Sequence, residues 1–265
     1  MINPDHIYPY NPDKRWLLLP SNYQQSGKND FDHVGDQTRE MFGGRQNILI
    51  VTSAKNAVEG QEKAMTRLEV ALSRYGAKNF LHSHLMTPED LHRAGENDIE
   101  GIMVGGGNTF RLVKDLHDPR LSLGHWIAWM VAEGRPYSGT SAGQQALAED
   151  IRTCADERNI VSYINGIPSI LIGGLNIIRG NINMHPHYLE LGAGGPSIGG
   201  GSEAELRNYA VEDPTRKILG VRNGAALYVQ GQDMSVVGEG DGVDLITDKT
   251  TVTFVPGQRF SQLTV

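Results

Sequence analysis

One cysteine, Cys154, in a chain of 265 residues excludes an internal disulfide framework. Its ordinary reading is a small buried hydrophobe in a reducing compartment. No stretch approaches the run of about 18 apolar residues that a membrane span needs. The opening Met1-Ile2-Asn3-Pro4-Asp5 has no basic segment followed by an apolar one, so no secretory signal is legible and a cytoplasmic location is expected. Positive charge is also in short supply. With 24 Lys and Arg against 31 Asp and Glu, the net charge of −7 argues against nucleic acid or an anionic membrane as partner. The HExxH pairing and clustered cysteines of common metal sites are missing as well.

What is present alternates. Short apolar runs at Trp16–Leu19, Asn47–Thr52, Asn79–Leu85, Ile99–Val104 and Arg135–Ser138 suit strands buried on both faces. Between or after them, residues 60–75, 88–94, 110–116, 122–133 and 144–149 have helical character, and one further helix is expected within 21–46. This pattern predicts a mostly parallel sheet with helices on both faces, a three-layer α/β/α sandwich. Leu175–Ile182 reads as another strand. Beyond about Ile218, short runs (219–222, 226–229, 235–237, 243–246 and 251–255) separated by Gly, Asp and Gln predict antiparallel hairpins closing an edge of the same sheet. No repeat or long linker interrupts the chain, so a single domain over 1–265 is expected. Gly192–Ser202, with six glycines in eleven residues, is the low-complexity exception.

The chemistry centres on Tyr137-Ser138-Gly139-Thr140-Ser141-Ala142-Gly143. Its G-x-S-x-G form is that of a nucleophile elbow, in which a strand turns sharply into a helix. Ser141 then sits on strained backbone, and glycines two residues to either side let strand and helix approach. The amide of Ala142, at the helix N-terminus, is one candidate donor to an oxyanion. The amide of Gly107, in the triple-glycine turn Gly105-Gly106-Gly107 at the end of a strand, is the second. That turn lacks the Lys-Ser/Thr ending of a phosphate loop and the spacing of a dinucleotide fingerprint. Of nine histidines, His187 in His185-Pro186-His187-Tyr188 is the candidate base. In an extended run His185 and His187 point the same way, so a metal-ligand pair, with His82 and His84 as further ligands, is the competing reading.

Taken in order, Gly105–Phe110 (GGGNTF), Tyr137–Gly143 (YSGTSAG), Ile151–Asp156 (IRTCAD) and His185–Tyr188 (HPHY) resemble the dipeptidase E, or aspartyl dipeptidase, family of serine peptidases, related to cyanophycinase. The resemblance spans roughly residues 16–240. It implies a class I glutamine-amidotransferase-like fold, Ser141 as nucleophile, His187 as general base, and the amides of Gly107 and Ala142 as oxyanion hole. It also implies no metal or organic cofactor, a small peptide as substrate and a homodimer as assembly. Asn108 and Thr109 would bind polar groups of the substrate, Thr109 having helix capping as its alternative.

This chain departs from the family pattern. Where the family carries the acid that completes the triad, Leu219-Gly220-Val221-Arg222-Asn223-Gly224 offers Asn223. An asparagine can orient an imidazole but stabilises the imidazolium less. Asp156 matches a family aspartate that either joins the catalytic group or shapes the floor of the site. The arginine that pairs with a substrate aspartate is replaced by Ala204, leaving Arg207, one turn on, and Arg222 as the nearby cations. An insertion also lies between Asp156 and His187. The expected activity is that of a serine exopeptidase or dipeptidase acting through an acyl-enzyme, without strict preference for N-terminal aspartate. The alternatives are a cyanophycinase-like β-aspartyl hydrolase and a catalytically silent binding protein on the same scaffold.

Overall fold

The computed structural model describes residues 9–23, 25, 27–55, 57–154, 173–189 and 203–261. Asp156 and the glycine-rich stretch Gly192–Ser202 lie outside these.

The apolar runs build the main sheet: β1 (Trp16–Pro20), β2 (Ile48–Val51), β3 (Phe80–His82), β4 (Gly101–Val104) and β5 (Tyr137–Gly139). They pair in the order β1-β5-β4-β2-β3, all parallel. Successive side chains of a strand face opposite sides. Leu17, Leu19, Val51 and Val104 enter one core, and Leu18, Ile48, Ile50 and Met103 the other. Helices cover both. α1 (Gly35–Phe42) and α2 (Val58–Arg74) bring Met41, Phe42, Leu68 and Leu72 to the second core. To the first, α3 (Pro88–Asn97), α4 (Thr109–Leu116) and α5 (Leu123–Ala132) bring Leu91, Leu112, Leu116, Ile127 and Val131. The result is the three-layer α/β sandwich expected from the alternation. Among the described residues no helix is long and apolar enough to cross a membrane.

The C-terminal runs divide between two sheets rather than closing one edge. β8 (Ala225–Gln230) lies antiparallel to β1 and is followed outward by β9 (Asp233–Gly238) and β12 (Arg259–Ser261). A second sheet, ordered β11-β10-β7-β6, is made by β6 (Ile182–Pro186), β7 (Lys217–Val221), β10 (Val243–Ile246) and β11 (Thr251–Phe254). Its inner face lays Met184, Leu219, Val221 and Leu245 on the first core, while Ile218 and Ile246 pack under Tyr188 and under Leu206 of α7 (Glu203–Glu212). An apolar run of four residues does not say which sheet it joins, so the sequence pattern merged the two.

Two further segments differ from expectation. α6 covers only Ala142–Gln145. Of the expected strand Leu175–Ile182, only Ile182 is in a strand. The residues before it bind the elbow's exit instead, with Leu175 N–H donating to Ala146 O at 2.8 Å and Ile177 N–H to Leu147 O at 2.9 Å.

This topology gathers strand ends. β1, β4 and β5 finish on one edge of the main sheet, and β6 and β7, parallel with Pro186 opposite Val221, finish beside each other. At Arg222-Asn223-Gly224 the chain passes from the second sheet to β8 of the main one.

A buried polar cluster ties the elbow's exit to β6. Asn183 Nδ2 donates to Asp150 O and Oδ1 at 2.8 and 2.6 Å, and buried Arg216 donates to Asp150 Oδ2 at 3.1 Å and Asn183 Oδ1 at 3.0 Å. Burial by itself raises the Asp150 carboxyl, but hydrogen bonds from Arg152 and Arg216 bring it below its ordinary value. Hydrogen bonds from Thr215 and Asn181 hold Asp213 at about 2. Both folded values lie below the unfolded ones. Their stabilisation is therefore complete above the usual carboxylate range, near pH 4, and is lost as pH falls below that range, for Asp213 toward about 2. Asp150→Asn leaves Arg216 buried with less compensation, and we expect it to cost about 3 kcal/mol at neutral pH. It should also flatten the acid limb of stability, which urea unfolding at pH 7 and pH 3 will measure.

Candidate active site

The turn after β5 holds Ser141 at φ 52° and ψ −112°, a conformation that costs a non-glycine residue about 1–3 kcal/mol. Its surroundings require that turn. A Cβ on Gly139 would lie 2.6 Å from Gly143 O and from the Tyr137 ring, and one on Gly143 would lie 2.6 Å from Val104 O. Buried Tyr137 donates its hydroxyl to Gly143 O at 2.7 Å. Gln144 Nε2 donates to Leu19 O at 2.9 Å, joining the elbow to the end of β1. Thr109 Oγ1 donates to Gln145 Oε1 at 2.6 Å, joining it to α4.

His187 reaches Ser141 from the second sheet. At φ 58° it turns the chain out of β6, so His185 and His187 do not project together as an extended run requires. His185 is fully buried with Nδ1 3.0 Å from Thr153 O, whereas His187 Nε2 lies 3.1 Å from Ser141 Oγ. Tyr188, its phenol pushed up to about 12 chiefly by burial, packs over Gly220, where a Cβ would lie 2.7 Å from the ring. This packing fixes the turn. Among the described residues no group of three or more His, Cys, Asp or Glu is arranged to hold a metal.

Asn223 meets the imidazole from the neighbouring strand end, its Oδ1 3.0 Å from His187 Nδ1. The same oxygen accepts a hydrogen bond from Ser21 Oγ at 3.0 Å, and Ser21 Oγ accepts one from the His187 amide at 2.7 Å. With a proton on Nδ1 directed at Asn223, Nε2 presents a lone pair to the Ser141 hydroxyl. Proton removal from Ser141 is the chemistry this arrangement can perform.

The triple-glycine turn lies alongside. Gly105 N–H donates to Val51 O and Asn108 N–H to Ala54 O, both at 2.9 Å, while no hydrogen bond within the described residues engages the amides of Gly106, Gly107 or Ala142. Gly107 was the expected donor, yet Gly106 stands nearest the serine, since a Cβ on it would lie 2.9 Å from Ser141 Cβ. Gly107, at φ 150°, packs on Ala54. Asn108 rather than Thr109 caps α4, its Oδ1 accepting from Arg111 N–H at 3.1 Å. Thr109 is buried, with its hydroxyl given to Gln145.

The two arginines near the missing family cation are engaged. Arg207 Nη2 donates to Glu203 Oε1 and Thr251 Oγ1, each at 2.8 Å. Arg222 Nε donates to buried Asp244 at 2.7 Å. Ser21 and Gly106 also lie against these residues, without a signal in the sequence. Ser21 carries no local signal, and Gly106 differs from its neighbours only in how closely it approaches the elbow.

Residues 17–237 match the family model described as Peptidase family S51. A peptidase E from Shewanella sp. (strain MR-4) is 32% identical over 172 residues, covering 64% of this chain and 67% of that protein. A probable alpha-aspartyl dipeptidase from Drosophila melanogaster is 28% identical over 229 residues, or 85% and 87% of the two chains. Among solved structures, a peptidase from an acI-B1 Actinobacterium gives a TM-score of 0.67 at 18% identity, covering 94% of this chain and 97% of the other. A putative peptidase E from Listeria monocytogenes EGD-e gives 0.61 at 19%, covering 85% and 99%. At these identities the structures speak to fold alone.

Gly106→Ala tests the close approach at the elbow. We expect a loss of about 1–3 kcal/mol from overpacking and a fall in kcat on a dipeptide of about a hundredfold. Gly60→Ala, whose new Cβ meets only Lys55 at 3.7 Å, is the control. A kcat for Gly106→Ala within twofold of the parent would show that the serine turn does not depend on this contact.

Proposed function

Given that this chain belongs to peptidase family S51 and is a serine peptidase, we propose that it hydrolyses dipeptides and other short peptides through Ser141, with His187 as general base and Asn223 as its orienting partner. The observation that carries this reading is the continuous path from Ser141 Oγ through His187 Nε2 and Nδ1 to Asn223 Oδ1, at 3.1 and 3.0 Å, on a serine held in the elbow conformation.

The steps follow from the groups present. Ser141 Oγ attacks the carbonyl carbon of the first residue as its proton passes to His187 Nε2. The carbonyl oxygen becomes an oxyanion that the Ala142 amide and one amide of the Gly106-Gly107 pair would receive. His187 then protonates the leaving amine, the C–N bond breaks, and an acyl-enzyme is left on Ser141. Water, deprotonated by the same imidazole, attacks the acyl carbon, and the bond from that carbon to Ser141 Oγ breaks as His187 returns the proton to Oγ, releasing the acid. Asn223 Oδ1 accepts from Nδ1–H throughout, but as a neutral acceptor it offsets less of the imidazolium charge than a carboxylate does.

For specificity, the reading is an enzyme without strict preference for N-terminal aspartate. A buried substrate carboxylate must be paired or it costs several kcal/mol. Ala204 supplies no cation, and Arg207 and Arg222 already answer Glu203 and Asp244. Small or uncharged first residues fit such a site at least as well.

Two measurements test this. Ser141→Ala should lose about 10³-fold or more in kcat, and a fluorophosphonate should label the parent at Ser141 but label His187→Ala far more slowly. A protein that never reacts would favour the silent binding role. Comparing kcat/KM for Asp-Leu, Ala-Leu and Gly-Leu tests the specificity. A preference for Asp of about a hundredfold, or roughly 2.7 kcal/mol, would mean that a cation does serve the substrate.

A further inference from the structure

We infer that Ser21 is a positioning residue that locks the side-chain amide of Asn223 in one orientation and thereby sets the tautomer of His187. The inference rests on the proposed roles of Ser141 and His187, and it addresses a difficulty created by having asparagine where the family has an acid. A carboxylate presents only acceptors. A carboxamide presents an acceptor at one end and a donor at the other. Turned the wrong way, Asn223 would aim Nδ2–H at His187 Nδ1. The imidazole would then carry its proton on Nε2, and Nε2 would donate to Ser141 instead of accepting from it. A tautomer error of this kind disables the base.

The polarity of the hydrogen bonds around Ser21 selects the productive orientation. A backbone N–H can only donate, and the His187 amide donates to Ser21 Oγ at 2.7 Å. That interaction makes Ser21 Oγ an acceptor on one side, and its own proton points to Asn223 at 3.0 Å. The group receiving that proton must be Oδ1, which places the same oxygen before His187 Nδ1 at 3.0 Å. With the amide reversed, the Ser21 hydroxyl would receive two donors and its proton would lose Asn223 as acceptor. Ser21 is fully buried, so that loss is not made good by bulk water. The circuit starts on the His187 backbone and closes on the His187 ring.

Ser21 is also firmly mounted. It follows β1 directly, and its amide donates to Ala225 O at 3.1 Å. Next to it, Asn22 Oδ1 accepts from Gly224 N–H at 3.1 Å, so the two residues that follow Asn223 are both pinned to the segment leaving β1.

The test compares Ser21→Ala in two backgrounds, the parent and Asn223→Asp. An aspartate has no donor end, so it needs no lock. Ser21→Ala should lower kcat in the parent by at least about tenfold, with KM moving less, because the amide gains access to the orientation that imposes the wrong tautomer. In Asn223→Asp the same change should cost less than about threefold, and that tenfold-against-threefold difference is the coupling between the two positions. The lost partner of the His187 amide is common to both backgrounds and cancels in the ratio. Ser21→Thr, which keeps the hydroxyl, should restore kcat. Equal losses in both backgrounds, or a parent loss below threefold, would overturn the inference.

Should Asn223→Asp fail to fold, imidazole 15N spectra of the parent and Ser21→Ala decide the matter. The His187 proton is expected on Nδ1 in the parent and shifted toward Nε2 in the variant. An unchanged tautomer would sink the lock. Ser141→Ala separates this from failure of the proposed function. If that variant stays active the serine mechanism itself is wrong, whereas if it is inactive and Ser21→Ala behaves as the parent does, only the lock fails.

Discussion

A serine held at φ 52° is the constraint around which this molecule is arranged. Backbone in that region relaxes unless its neighbours forbid it. Here the neighbours are glycines whose missing side chains admit carbonyl groups of adjacent elements, a buried tyrosine bound to one of those carbonyls, and a glutamine that clasps the end of β1. None of these groups carries out chemistry. They keep Oγ proud of the sheet edge, where a histidine from a different sheet can reach it. The segment 174–178, in place of adding a strand, spends its amides on the carbonyls of the elbow's exit, and so belongs to the same support.

An amide in the position of an acid changes what the rest of the site must supply. The imidazole keeps its orientation but loses a full charge beside it. The surrounding ion pairs do not restore that charge, because Glu203 is met by Arg207, and Asp244 by Arg222 and the Thr253 hydroxyl. Among the described residues these charges are balanced pair by pair, and on the inference drawn above orientation rests on hydrogen-bond polarity. The same pairing occupies the cations that an acidic substrate would need. On the proposed reading, a weakened triad and a relaxed specificity would share one physical origin in how locally the charges are satisfied.

The elbow was legible in the sequence because its spacing is steric: only glycine fits at 139 and 143, and strand-forming residues precede them. The parallel strands were legible because burial on both faces leaves unbroken apolar runs. The second sheet was not. Val243–Ile246 and Ala226–Val229 have the same texture, and register with β7 or with β1 is a property of the assembled molecule. Ser21 was invisible for a related reason. Its partner Asn223 stands 202 residues away, and a serine after a strand is ordinary until something approaches it. Of the residues proposed to orient the base, Asn223 was found from its position before a glycine, where the chain turns between sheets.

That turn between sheets also orders events in time. Ser21, Ser141 and His187 are all made before Asn223, yet Asn223 is held in place by β8, which must first pair with β1 and receive β9 on its other side. On the reading proposed above, a chain emerging from the ribosome carries its nucleophile from position 141 until position 223 is made without a properly oriented base beside it. On that reading, hydrolytic competence waits for the β8–β9 hairpin to close, so the order of the chain sets when the site is complete.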